Sequence, residues 1–75
     1  MPAPETPLRK FGDNVRARRE TQDLTQEQLA ERAELDRTYI SGIERGVRNP
    51  SLLSVVRIAK ALKSSAGDLT HGIER

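Results

Sequence analysis

Two residues, Glu34 and Leu35, are all that separate the end of one helical pattern at Ala33 from the cap of the next at Asp36. The segment before this joint, LTQEQLAERA, carries a full helix-start signal. Thr25 is the N-cap, Gln28 three residues later completes a capping box, and Leu24 and Leu29 stand at hydrophobic-staple spacing. The segment after it, LDRTYISGIERG, repeats the staple with Leu35 and Ile40 around the cap Asp36. It runs to about Arg45 and meets Gly46, which suits the left-handed conformation that terminates helices. So short a joint forces two short helices to meet at a fixed angle, with the small Ala30 and the branched Ile40 at their crossing.

The rest of the chain reads as three more helices. Leu8, Phe11 and Val15 fall on one face of a helix from Leu8 to about Thr21. Pro50 stops the third helix from continuing, and Ser51 caps a fourth with the expected apolar face Leu52, Val55, Val56, Ala59 and Leu62. Ser65 with Asp68 marks a last short helix carrying Leu69 and Ile73. The opening MPAPETP holds three prolines in seven residues and no apolar period, so residues 1–7 are expected to be a disordered arm. Residues 8–75 are then one all-α domain of five short helices containing a helix-turn-helix. Aromatic residues make up only 3% of the chain, so its core must come from Leu, Ile, Val and Ala, which suits a helical bundle better than a sandwich.

Several functions are excluded at this level. With no cysteine and a single histidine, His71, there is no thiolate or multi-histidine metal site and no nucleophile–base pair, so neither a cofactor nor a small-molecule ligand is expected. Glu27 and Glu31, four apart on a charged helix, read as solvated surface. Charges recur too often for a membrane span or a signal core, which points to a cytoplasmic protein. The charge is uneven: residues 1–36 hold six Lys/Arg against eight Asp/Glu, residues 37–75 seven against three. A basic half of this kind suits a polyanionic partner.

The third helix shows where that partner would sit. If Ile40 and Ile43 face the core, Arg37, Thr38, Ser41 and Arg45 face away, with Tyr39 at the margin. An α-helix fits the major groove of duplex DNA, and residues near the N-terminus of the second motif helix reach base edges. Arg37 suits guanine, the Thr38 methyl suits thymine, and Gly42 is expected to allow close approach of the helix to DNA. Thr25 and Gln26 stand at the start of the second helix, where free amides and the dipole favour a phosphate. Arg48 and Asn49 follow the third helix and are placed to hold phosphates on its other side.

The stretch LTQEQLAERAELDRTYISGIERGVRNPSL resembles the lambda-repressor-like, or Xre-type, helix-turn-helix family. Within it, LDRTYISGIERG followed by RNPS is similar to the controller proteins of restriction-modification systems. The resemblance spans about Phe11 to Leu69. It implies a five-helix domain that binds a palindromic operator as a homodimer and regulates transcription. Carried over, it implies that Gln26, Ser41, Arg48 and Asn49 touch phosphates, that Arg37 and Thr38 read bases with Tyr39 beside them, and that Arg19 pairs with Glu44. Leu69 and Ile73 are the residues expected at the dimer interface. Glu34, Lys63 with Ser64, and Ala66 depart from the family pattern; Glu34 stands where many members have glycine, so a left-handed strain of about 1 to 2 kcal/mol is expected there. A phage-type or housekeeping repressor, or an antitoxin, shares the same pattern. A protein-interaction module that keeps the helical core without binding DNA is the more distant alternative.

Overall fold

The computed structural model describes residues 6–75, and among them there are five helices and no strand. They are α1 (Pro7–Thr21), α2 (Gln26–Ala33), α3 (Arg37–Glu44), α4 (Leu52–Ala61) and α5 (Ala66–Leu69). Each expected cap is in place. Thr25 and Gln28 make both halves of the capping box at 3.0 and 2.9 Å. Asp36 accepts from the Thr38 amide at 2.7 Å, Ser51 from Ser54 at 3.1 Å and Ser65 from Asp68 at 3.0 Å. Gly46 ends α3 with φ +76°.

Helix α1 begins earlier than the sequence predicts, at Pro7. Residues 1–5 lie outside the described residues, but Pro7 is the first residue of α1 and the Thr6 side chain caps it, accepting from the Arg9 amide at 3.1 Å. Proline at a helix start sacrifices no hydrogen bond and brings a preset φ, so it belongs to the helix rather than to the tail.

Phe11 and Val15 of α1, Leu29, Ala30 and Ala33 of α2, Ile40 and Ile43 of α3 and Val55, Ile58, Ala59 and Leu62 around α4 form one buried core. α1 and α2 both pack on α3, α2 also packs on α4, and α5 bridges α1 and α4. Side-chain amides complete the closure: Asn14 donates to the carbonyls of Leu69 and His71 at 2.8 and 3.0 Å, and Gln22 to that of Leu62 at 2.7 Å.

Two apolar assignments change. The buried stripe of α4 is Ser54, Val55, Ile58 and Ala59, with Leu52 left 78% exposed and Leu53 61%. Ser54, a polar residue with no place in an apolar pattern, is buried in that stripe, its hydroxyl 3.2 Å from that of Tyr39. Leu69, expected at a dimer interface, has no exposed surface and is part of the core of its own chain, so it has nothing to offer a partner. Ile73 packs against the same core and is only partly buried.

The joint between α2 and α3 is made as the spacing requires, with Glu34 in the left-handed conformation at φ 57° and ψ 44°. Asp23 and Lys63 adopt the same region in the turns after α1 and α4. A side chain in this region is strained by about 1 to 2 kcal/mol, partly offset in a glycine variant by the greater freedom of the unfolded chain. Because the Glu34 side chain is exposed, Glu34→Gly is expected to stabilise the domain by about 1 kcal/mol, a rise of roughly 4 to 8 °C in melting temperature. Thermal unfolding followed by circular dichroism measures it; a lower midpoint would mean that Glu34 makes a compensating contact.

Candidate nucleic-acid interface

α3 is eight residues long, too short to hold its own shape, so its orientation comes from what it packs against. Ile40 and Ile43 anchor one side with at most 1% exposure. At the C-terminal end Glu44 turns into the domain and is 1% exposed. Arg19 of α1 donates to both its oxygens, Nε to Oε2 at 2.7 Å and a terminal nitrogen to Oε1 at 2.9 Å. Gln26 of α2 donates to Oε1 at 3.1 Å, and Arg16 reaches the same oxygen at 3.4 Å. Burial by itself pushes the Glu44 carboxyl up; the hydrogen bonds from Arg19, Gln26 and Arg16 and the Arg19 charge outweigh it and hold the group below its ordinary value. Three helices thus converge on one carboxylate, and α3 cannot rotate without breaking that fork.

Held in this way, α3 exposes Arg37 and Thr38 to solvent, with Tyr39 and Ser41 half-buried beside them. No carboxylate among the described residues lies within ion-pair distance of Arg37, Arg45, Arg48, Arg57 or Lys60. The Thr38 hydroxyl donates to the Asp36 carboxylate that also caps the helix, which fixes the Thr38 rotamer and lowers the Asp36 pKa.

The expected phosphate groups divide into two sets. Thr25 and Gln26 stand at the start of α2, where Thr25 is exposed and Gln26 is half-buried with its amide nitrogen on Glu44. Gln26 thus ties the start of α2 to the end of α3, a tie that the spacing of the two residues in sequence does not reveal. Ser41 lies on α3, and Arg48 and Asn49 are exposed on the loop after it. Tyr39 is a strut between α3 and α4: its hydroxyl lies 3.2 Å from Ser54 Oγ and accepts from the Ser51 amide at 3.3 Å. Gly42, expected to allow DNA to approach, is instead buried, and what lies against it is the side chain of Arg48. The residues of the site that spacing did not show are therefore Glu44 as the hub, Arg16 as its outer partner and Ser54 as the Tyr39 acceptor. An internal glycine and an inward serine in two otherwise amphipathic helices were the only local signs.

Residues 15–69, which include these two capped helices and the joint with left-handed Glu34, match the helix-turn-helix family. The chain belongs to the helix-turn-helix family. Among helix-turn-helix proteins it is similar to control protein C.MunI from a Mycoplasma species, 40% identical over 67 residues that cover 88% of this chain and 90% of that one. The restriction-modification controller protein C.AhdI from Aeromonas hydrophila superposes with a TM-score of 0.81 at 44% identity, covering 83% of this chain and 94% of that one. The controller protein C.Esp1396I, solved as a tetramer in complex with its natural 35 base-pair operator, superposes with a TM-score of 0.75 at 44% identity, covering 79% and 78%. Among the described residues no helix is long and apolar enough to cross a membrane.

Proposed function

We propose that this protein is a transcription regulator that binds duplex DNA sequence-specifically, as a homodimer on a palindromic operator, and that it controls a restriction-modification system. The observation that carries the reading is the N-terminal end of α3, where Arg37 and Thr38 are exposed and where no carboxylate among the described residues pairs with Arg37. Arg37 reads guanine through two hydrogen bonds, Thr38 meets a thymine methyl, and Tyr39 flanks them. Thr25, Gln26, Ser41, Arg48 and Asn49 hold the backbone on both sides, with the α2 N-terminus adding its free amides. The similarity to control proteins supports the restriction-modification assignment. Such a regulator acts in the cytoplasm and needs no catalytic group.

The second copy requires another surface than Leu69. Leu52 and Leu53 at the start of α4 and Val47 in the loop before it are the large apolar side chains left exposed among the described residues. They follow directly on the clamp loop, so pairing there keeps both copies of α3 on one side, with half-sites about 10 base pairs apart, centre to centre.

Selection of bound duplexes from a random library, with wild type and Arg37→Ala in parallel, tests the reading. A two-fold symmetric motif is expected, with one defined base preference lost in the variant, worth about 1 to 3 kcal/mol of discrimination. Affinity should also fall steeply with salt as counterions are released. No enrichment by folded wild type at low salt would favour a protein-interaction module; enrichment without a restriction-modification operon nearby would favour a phage-type or housekeeping repressor.

A further inference from the structure

We infer that Gly42 is a positioning residue of the DNA-binding face: the side chain it lacks leaves a seat in α3 for the stem of Arg48, and Arg48 meets its phosphate from that seat, lying on Tyr39. The inference rests on the DNA-binding reading above and adds to it the device that places Arg48. Gly42 is one helical turn beyond Thr38, at the rim of the exposed face, where an ordinary residue would project its own side chain. It is nevertheless buried. A Cβ built there would stand 2.3 Å from Arg48 Cγ and 3.4 Å from both Cβ and Cδ of the same side chain, so the loop arginine fills the space that the helix leaves open.

From this seat the Arg48 guanidinium carbon lies 5.1 Å from the centroid of the Tyr39 ring, within the range of a cation–π contact. The ring is itself fixed, because its hydroxyl is held by Ser54 and Ser51. Arg48 is thus restrained along its stem by the backbone of α3 and at its head by Tyr39, while the residue remains exposed and has no carboxylate partner among the described residues. A loop arginine without such restraint loses its rotamer freedom on meeting a phosphate; one already seated has lost it on folding. Glycine is the poorest non-proline residue for a helix interior, and in α3 its presence has a steric counterpart in Arg48.

Three variants, Gly42→Ala, Arg48→Ala and the double variant, test the seat by binding to the selected operator duplex and by tyrosine emission. Tyr39 is the one tyrosine of the chain and there is no tryptophan, so its emission reports the group over the ring. Each single variant is expected to weaken binding about tenfold or more, and the double no further than Arg48→Ala alone. All three should change Tyr39 emission in the same direction, with Gly42→Ala unfolding at or above the wild-type temperature. Losses that multiply in the double variant, or wild-type emission and affinity in Gly42→Ala, would overturn the inference. If Gly42→Ala fails to fold, the double variant decides: recovery of folding places the clash on Arg48, and continued failure places it elsewhere and overturns the seat. A wild type that binds no duplex would refute the DNA-binding reading, and with it the phosphate role of Arg48, whereas the emission comparison would still report on the contact between Gly42 and Arg48.

Discussion

Arg19→Met is expected to cost the domain about 3 to 5 kcal/mol of stability at neutral pH. The substitution keeps the length of the stem but removes the fork that satisfies both oxygens of Glu44, a carboxylate with 1% exposure. Stranding one member of a buried ion pair costs about 3 to 5 kcal/mol. A chain of this size has a total stability of only about 4 to 11 kcal/mol. Gln26 and Arg16 still face Glu44, so the loss should fall at the lower end of that range if Arg16 can move inward.

The pH dependence separates this cause from simple loss of packing. In the wild type the folded-state pKa of Glu44 is lowered, so its contribution is present above the ordinary carboxylate value of 4.5 and is lost as pH falls through the lower folded value. Without Arg19, burial dominates and the folded-state pKa rises. The variant is then penalised above that raised pKa and relieved as pH falls through it. The stability gap between wild type and variant should therefore narrow on acidification, measured by urea unfolding from neutral pH down to about pH 4. A gap that stays constant would assign the loss to the packing of the arginine stem.

The second large effect concerns assembly. Leu52→Glu with Leu53→Glu is expected to give a folded monomer, because both side chains are mostly exposed in the single chain and contribute little to its core. Two like charges placed opposite their symmetry copies would oppose pairing across a two-fold axis. Binding to a full palindrome should then fall about 10²- to 10⁴-fold, since the second half-site is no longer delivered by the first. Binding to an isolated half-site should change little. Sedimentation and operator titration on the same samples read both quantities. A variant that sediments as a dimer would move the interface away from the start of α4, with the half-buried Ile73 the next surface to test.

Leu52 is exposed and Leu69 buried, each the reverse of what the sequence predicts. Helical period places Leu52 on an apolar stripe, but period defines a stripe only to within the rotation of the helix about its axis. In α4 the buried side includes Ser54, whose hydroxyl meets that of Tyr39, fifteen residues earlier, at 3.2 Å, while Leu52 is left exposed. Leu69 lies on a four-residue α5, which has no periodicity to read, and its burial follows from α1 and α4 closing over it. Gly42 shows the same limit from the other side. An internal glycine announces a close approach, but only the path of the loop after Gly46 decides that the approaching group is Arg48.

Legible in the chain was everything carried by interactions within a few residues: the caps at Thr25, Asp36, Ser51 and Ser65, the stop at Gly46, and so the exposure of Arg37 and Thr38, while the left-handed joint at Glu34 followed from the family resemblance. These features depend on backbone groups that a neighbouring side chain can satisfy locally. Only the tertiary structure decided how α3 is held and what lies across it. The Glu44 hub draws Arg16, Arg19 and Gln26 from 18 to 28 residues away, and its protonation depends on a burial that exists only when α1, α2 and α3 have met. Such contacts join side chains whose separation in sequence carries no period, so they become legible only once the core has set the helix axes.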